Sequence, residues 1–482
     1  MLTHSYVPGD MLLSALVPIP KSKKKSPNDS NNYRSIALSS ILAKVMDNII
    51  LMKHGHLLHT SDLQFGFKPN HSTIQCTFVM QEVVDYYMRR GSPCHAILLD
   101  ASKAFDRVEY VKLFRLLVKR KLCPLTIKLL LCMYTNQSLF VKWNGTKSAR
   151  FECSNGIKQG GVISPVLFCI YMDELLVRLE KTGVGCYMGH YFMGALCYAD
   201  DLTILAPSVS SAQKLLTECE KYANEFNVKF NSSKSVLVPF NVPDGQIIKL
   251  KLNGLDILHN DNAIHLGSHI GKDGNRNNIC KAVQHLIYRT NMLMSNYGFC
   301  SYKVRVRLFD TFCMSLYGSP LWKISSKYIN ELIVTWKKCV RKVLKIDKKS
   351  RSRYLPHLID KPDIKCQLLL RFAKFWLRCK CSSNSRVKIA AQNAMRSQSI
   401  VAENVRQVSF YLNDDISDIC DVFNSQNDVK CRFHAVWVKK LLCEDQITAS
   451  IIKELIACRE GNLCLHYTRN DVNTVLVYLC TS

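Results

Sequence analysis

No uninterrupted apolar run in this 482-residue chain approaches the roughly 18 residues that a membrane-spanning helix needs; the densest stretch, "VISPVLFCIYM", is much shorter. No membrane partner is therefore expected. The opening "MLTHSYVPGDMLL" lacks a basic region ahead of its apolar residues and makes a poor signal peptide. That points to an intracellular location, with nucleus and cytoplasm both open; "KSKKK" is the sole run resembling an import signal. A regular cysteine framework is also missing. The 22 Cys are scattered through segments of structured character, which fits reduced, buried thiols and no disulfide. Cys379, Cys381, Cys443, Cys458, Cys464 and His466 follow C-x-C and C-x5-C-x-H spacings, which form no closed four-ligand zinc pattern. Acid is scarce as well. Against 65 Lys and Arg stand 38 Asp and Glu, and the net charge of +27 calls for a polyanionic partner, nucleic acid first and anionic membrane second.

What is present argues for a folded protein. A hydrophobic content of 48% and this length allow two to four compact units with a sizeable core. "SALVPIP" reads as a strand leading into the basic loop "KSKKKSPNDSNN". "IALSSILAKVMDNIILMKHGHLL" has helical apolar spacing, "QFGFKPNHST" is a Gly/Pro-punctuated loop, and "IQCTFVMQEVVDYYMRRG" is a helix stopped by Gly91. The buried strand "HAILLD" ends in acid and runs into "ASKAFDRVEYVKLFRLLVKRKL", an amphipathic basic helix. "LFVKWNG" is a strand and turn, and "GIKQGGVISPVLFCIYMDELLVRLEKTG" is a Gly-rich loop opening a long helix. "SAQKLLTECEKYANEFNV" is a helix, followed by the turn and strand "KFNSSKSVLVPF". The alternation predicts an α+β sheet domain. From about residue 275 the chain turns helical, basic and Cys/Trp-bearing.

Within "CYADDLTILA", Asp200 and Asp201 stand side by side in an apolar run where two uncompensated charges would cost several kcal/mol. Two readings are open. The pair is either a water-solvated hairpin tip or part of a divalent-metal site, since Mg²⁺ is held by one or two carboxylates plus substrate phosphates. Asp100, at the end of "HAILLD", supplies a third acid. Three such acids repel one another and raise at least one pKa unless cations bind.

In order and spacing, "VPIPK…NNYRSIALSS", "LQFGFKPNHST", "LLDASKAFDRV", "NGIKQGGVISPVLFCIYMDELL", "CYADDLTILA", "FNSSKS" and "HLGSHI" resemble the successive blocks of the reverse transcriptase of non-LTR (LINE-type) retrotransposons. The likeness covers about residues 10 to 275 and continues more loosely to about 360. It implies an RNA-directed DNA polymerase of right-hand architecture, with an RNA template, a DNA primer and deoxynucleoside triphosphates as partners and no small-molecule cofactor. Two Mg²⁺ ions are implied, with Mn²⁺ as the alternative. By position, Asp100, Asp200, Asp201 and the Ala101 carbonyl match the metal ligands. Lys21 and Arg34 match the contacts to the triphosphate, Phe105 the bulky residue under the sugar, and Gln159 and Gly160 the loop against nucleotide and template. Lys234 matches the proton donor to pyrophosphate, and Leu266 and Gly267 the primer grip. Each has a plainer reading beside it. Phe105 also suits a core position, Gly160 and Gly161 a helix-entry turn, and Lys234 a surface lysine after a turn; Lys23, Lys24 and Lys25 read as loop solvation.

Fingers and palm are expected over 1–275, a helical thumb over 276–370 and a C-terminal extension over 371–482. Ser35 stands where the family usually has proline, leaving Arg34 in place. Family elements generally encode an endonuclease upstream, so the resemblance implies a 5′-truncated copy. The rival readings are a catalytically inactive nucleic-acid-binding remnant, an intron maturase and an RNA-directed RNA polymerase; Phe105 argues against the last, which needs room for a 2′-hydroxyl.

Overall fold

The computed structural model describes residues 6–22, 26–243, 248–413 and 425–439, with 450 and 453. The chain divides into two compact units, residues 1–261 and 262–482.

Two sheets organise the first unit. In the mixed sheet, Leu13–Pro20 pairs antiparallel with Tyr33–Ser39, from Ser14 opposite Ser39 to Pro20 opposite Tyr33, and parallel with Ser138–Trp143. The second sheet runs, in spatial order, Leu258–His259, Val236–Phe240, Cys94–Leu99, Asp201–Ala206 and Ala195–Tyr198. The central strand is antiparallel to both of its neighbours, Val236–Phe240 and Asp201–Ala206. Cys94–Leu99 sits at the centre and is buried almost throughout, which is why its sequence, the buried His95 apart, is apolar on both faces. The helix Ser164–Lys181 packs against Val209–Glu225, Tyr110–Lys119 and the Ala195–Tyr198 strand through Leu167, Phe168, Tyr171 and Leu175, all fully buried. Most of the described cysteines are buried thiols, and among the described residues none is disulfide-bonded.

Two sequence-based elements differ from the structure. "YRSIALS" is a strand, and the helix begins only at Ile41, capped by Ser40, whose hydroxyl accepts the Ala43 N–H. The helix expected directly after Asp100 begins at Tyr110. Residues between them are held in irregular turns by distant backbone: Ile157 N–H donates to the Phe105 carbonyl, Gly156 N–H to Val108, and Ser102 N–H to Lys229. These tertiary bonds override the local helical preference.

The second unit opens with the hairpin Asn262–His265/Ser268–Gly271 and continues as helices, among them Gly274–Tyr297, Lys327–Leu344, Ile364–Lys380, Ser385–Arg396 and Ile400–Leu412. Trp322, Trp336 and Trp376 lie fully buried in its core. Arg305 is equally buried, and its guanidinium is solvated by backbone: Nε donates to the Val343 carbonyl at 2.7 Å and the guanidinium also reaches the Cys300 carbonyl. Among the described residues no helix is long and apolar enough to cross a membrane. Cys379 is buried and Cys381 exposed; Cys443, Cys458, Cys464 and His466 lie outside the described residues.

Candidate active site

Strand register brings the acids together. Leu99 pairs with Leu202, so Asp100 and Asp201 are the next residues beyond that pair on neighbouring chains, and Asp200 precedes Asp201 in the hairpin turn. The Asp100 backbone is fixed on both sides. Its N–H donates to Ser235 Oγ at 3.3 Å, its carbonyl accepts the Asn231 N–H at 2.9 Å, and Ala101 bridges to Phe230. The "FNSSKS" turn thus holds the strand end in place and sets Lys234 Nζ 3.6 Å from Asp100 Oδ2.

A cleft of about 900 Å³ opens here, between the acids and the mixed sheet. Asp100, Ala101, Asp200, Lys234, Lys21, Arg34, Phe105, Gln159 and Gly160 all line it. Asp201 is not a lining residue; it is exposed at the first position of its strand, beside Asp200. Leu266 and Gly267 belong to the second unit, where they form the hairpin turn with φ of 47° and 84°, and Tyr317 Oη donates to the Leu266 carbonyl at 2.7 Å.

Each wall of the cleft has a local cause. Cross-strand pairing of Ile19 with Arg34 puts Arg34 and Lys21 at one end of the mixed sheet, and Lys21 Nζ donates to the Asn31 carbonyl at 3.0 Å. The Phe105 ring stacks on Phe168, centroids 4.4 Å apart and planes 16° apart, so it packs against the core and faces the cleft at once. At Gly160, φ is 115° and an added Cβ would lie 2.6 Å from the Ala37 carbonyl. Glycine is required there, because the Gln159 carbonyl accepts the Ala37 N–H at 2.6 Å and draws the loop onto the strand.

Sequence reasoning overlooked Asp47. Buried in the Ile41–His54 helix, it accepts the N–H groups of Val162 at 3.2 Å and Ile163 at 3.4 Å, capping the entrance of the Ser164–Lys181 helix just beyond Gly160 and Gly161. An acid inside the apolar "KVMDNII" was the available signal.

The acids repel as their proximity requires. Burial raises the Asp200 carboxyl, with Asp100 adding to the shift and Arg34 opposing it. Although Asp201 keeps solvent access, partial loss of hydration beside the sheet, then the charges of Asp200 and Asp100, push its carboxyl up to about 6. Among the described residues, no group of three or more His, Cys, Asp or Glu side chains closes around an ion unaided. Mutually repelling carboxylates beside an open cleft nevertheless suit a divalent ion whose remaining ligands come from substrate phosphate and water.

The sign of the titration gives a prediction. A carboxyl raised in the folded state keeps its proton while the unfolded chain has lost it, so stability falls as pH rises from about 4 through about 6. A divalent ion that binds the ionised native cluster restores it. Thermal unfolding with and without Mn²⁺ should show a rise in Tm at pH 7.5 that shrinks at pH 5; an equal rise at both would remove the acids as the binding groups.

The family profile described as reverse transcriptase (RNA-dependent DNA polymerase) matches residues 19–267, more than half the chain. The chain belongs to that family. The matched region is accordingly an α+β polymerase fold built on the sheet centred on Cys94–Leu99, and the described residues beyond it are mainly helical. A requirement for divalent metal goes with the family in general. Among curated relatives, the RNA-directed DNA polymerase from mobile element jockey of Drosophila melanogaster is 24% identical, over 80% of this chain and 43% of its own length. The Pol polyprotein from type-2 retrotransposable element R2DM of the same species is 26% identical, over 48% of this chain and 22% of its own. The chain spans less than half the length of these relatives. A solved telomerase from Candida tropicalis, in complex with a TWJ fragment of telomeric RNA, aligns at 12% identity with a TM-score of 0.40, over 98% of this chain and 65% of that one.

Proposed function

We propose that this reverse transcriptase is an RNA-directed DNA polymerase of a LINE-type retrotransposon, adding deoxynucleotides to a primer 3′-OH on an RNA template. The observation that carries the reading is the one cleft in which two acids at the ends of neighbouring strands, Lys21 and Arg34 at the end of the mixed sheet, and a buttressed aromatic ring face one another. Asp100, Asp200, Asp201 and the Ala101 carbonyl would hold two Mg²⁺ ions, which supply activation of the 3′-oxygen and neutralisation of the leaving pyrophosphate.

The remaining work falls to the chain. Lys21 and Arg34 donate charge-assisted hydrogen bonds to the triphosphate. Phe105 lies under the sugar and excludes a 2′-hydroxyl, while Gln159 and Gly160 bring backbone against nucleotide and template. Lys234, poised by Asp100, delivers a proton to the departing pyrophosphate. Leu266 and Gly267 grip the primer. We assign fingers and palm to 1–275, the thumb to 276–370 and the extension to 371–482. The net charge of +27 supports binding along phosphate backbones without sequence reading.

The test is incorporation of dTTP on poly(rA)/oligo(dT) with Mg²⁺. Extension by the purified chain establishes the activity; a folded chain that binds the duplex and extends nothing is the nucleic-acid-binding remnant instead. Lys234→Ala should slow single-turnover incorporation by about 100-fold. It should also abolish the solvent deuterium isotope effect on that step, and an isotope effect unchanged from wild type would deny Lys234 the proton.

A further inference from the structure

Of the Leu63–Phe67 segment, only Phe67 lines the cleft, yet the whole segment is bound to the hairpin that carries Asp200. Phe65 N–H donates to the Cys197 carbonyl at 2.8 Å and Cys197 N–H to the Leu63 carbonyl at 2.9 Å, so Gln64 bridges in parallel to Cys197 at the outer strand. Gln64 is fully buried. Its side-chain oxygen accepts two backbone N–H groups, from Ala199 at 2.9 Å and from Gly66 at 2.8 Å, which uses both of its lone pairs.

Ala199 is the residue whose conformation aims Asp200. It has φ of 59°, a left-handed backbone that an alanine rarely adopts without outside support. Support comes from both sides: Gln64 holds its N–H, and the Cys197 thiol donates to its carbonyl at 3.0 Å. The two chains meet so closely that a Cβ at Gly66 would fall 2.5 Å from the Ala199 nitrogen. Meanwhile, among the described residues, the Gln64 Nε2 meets no oxygen or nitrogen acceptor and has only the Cys197 thiol as a polar neighbour. An apolar residue would fill that space without a stranded donor, but it would leave the Ala199 and Gly66 N–H groups unpaired.

We propose that Gln64 is a positioning residue, whose side-chain oxygen locks Ala199 in the left-handed turn and so directs Asp200 at the metal-binding face of the cleft. The inference rests on the polymerase reading for its purpose, so its test includes a readout that needs no synthesis. Mn²⁺ bound to the chain alone is counted from the electron paramagnetic resonance signal of the free ion, for wild type, Gln64→Ala, and Gln64→Ala combined with Ala199→Gly. Circular dichroism confirms folding. Gln64→Ala should weaken Mn²⁺ binding about tenfold and lower dTTP incorporation alike, with duplex affinity unchanged. Glycine at 199 adopts the turn without support and should regain part of the loss, a coupling that mere packing would not produce. Should Gln64→Ala fail to fold, Gln64→Asn keeps the amide but falls short of Ala199 and should show the same deficit. Unchanged Mn²⁺ affinity, or a deficit that glycine at 199 leaves untouched, overturns the inference. A wild-type chain that binds Mn²⁺ but extends no primer sinks the polymerase reading alone, and the Mn²⁺ series still decides on Gln64.

Discussion

Asp200→Asn is expected to lower primer extension by about 10³-fold or more, because on the proposed assignment it removes the charge that would hold a cation at the transferring phosphoryl group. The substitution is nearly isosteric and lies in a turn that asparagine tolerates. It also takes one buried carboxylate out of the cluster and removes the Asp200 charge that adds to the burial-raised carboxyl of Asp201, so the metal-free variant should unfold no earlier than wild type. Duplex affinity should hold, since it depends on basic residues spread over the chain. Near-normal extension would remove Asp200 from the catalytic set. Joint loss of extension, duplex binding and thermal stability would point to damage to the fold.

The second large effect concerns the choice of sugar. Phe105 is stacked on Phe168, a fully buried residue of the Ser164–Lys181 helix, so its ring cannot retreat from a 2′-hydroxyl. Phe105→Val removes the ring and opens the wall. Discrimination of dUTP over UTP on poly(rA) should fall by about 100-fold, with dUTP incorporation far less affected. Loss of the stacked pair should also lower stability by about 1 kcal/mol beyond the area lost. If discrimination stays as in wild type while stability drops, Phe105 is a core residue and the sugar is selected elsewhere.

The parts of this site legible in the sequence are those whose signal is local. "HAILLD" and "CYADDLTILA" are short apolar runs interrupted by acid, a pattern that names both the strand and its charged end, and both stand as strands in the palm sheet. "YRSIALSSILAKV" defeated the same reasoning, because its apolar positions fit either period across the Ser39–Ser40 boundary; pairing with Leu13–Pro20 decides for the strand. Residues 101–109 were misjudged as helix because the carbonyls and amides that hold them come from about residues 156 and 229. Asp47 and Gln64 were silent for a related reason. The partners that give them their roles, Val162 for Asp47 and Ala199 for Gln64, are backbone N–H groups more than a hundred residues away, which no spacing rule can reach.

Cys94–Leu99, the middle strand of the palm, is made before either of its neighbours. Its partners Asp201–Ala206 and Val236–Phe240 leave the ribosome over a hundred residues later. At about 5–20 residues per second, that is a wait of roughly five seconds or more. Through that interval the nascent chain carries an apolar strand with both edges open, the condition under which strands pair with the wrong partner. A product terminated before Asp201 closes neither edge and one terminated before Val236 leaves the second open, so early stop codons in such a gene are expected to yield aggregating fragments in place of smaller folded domains.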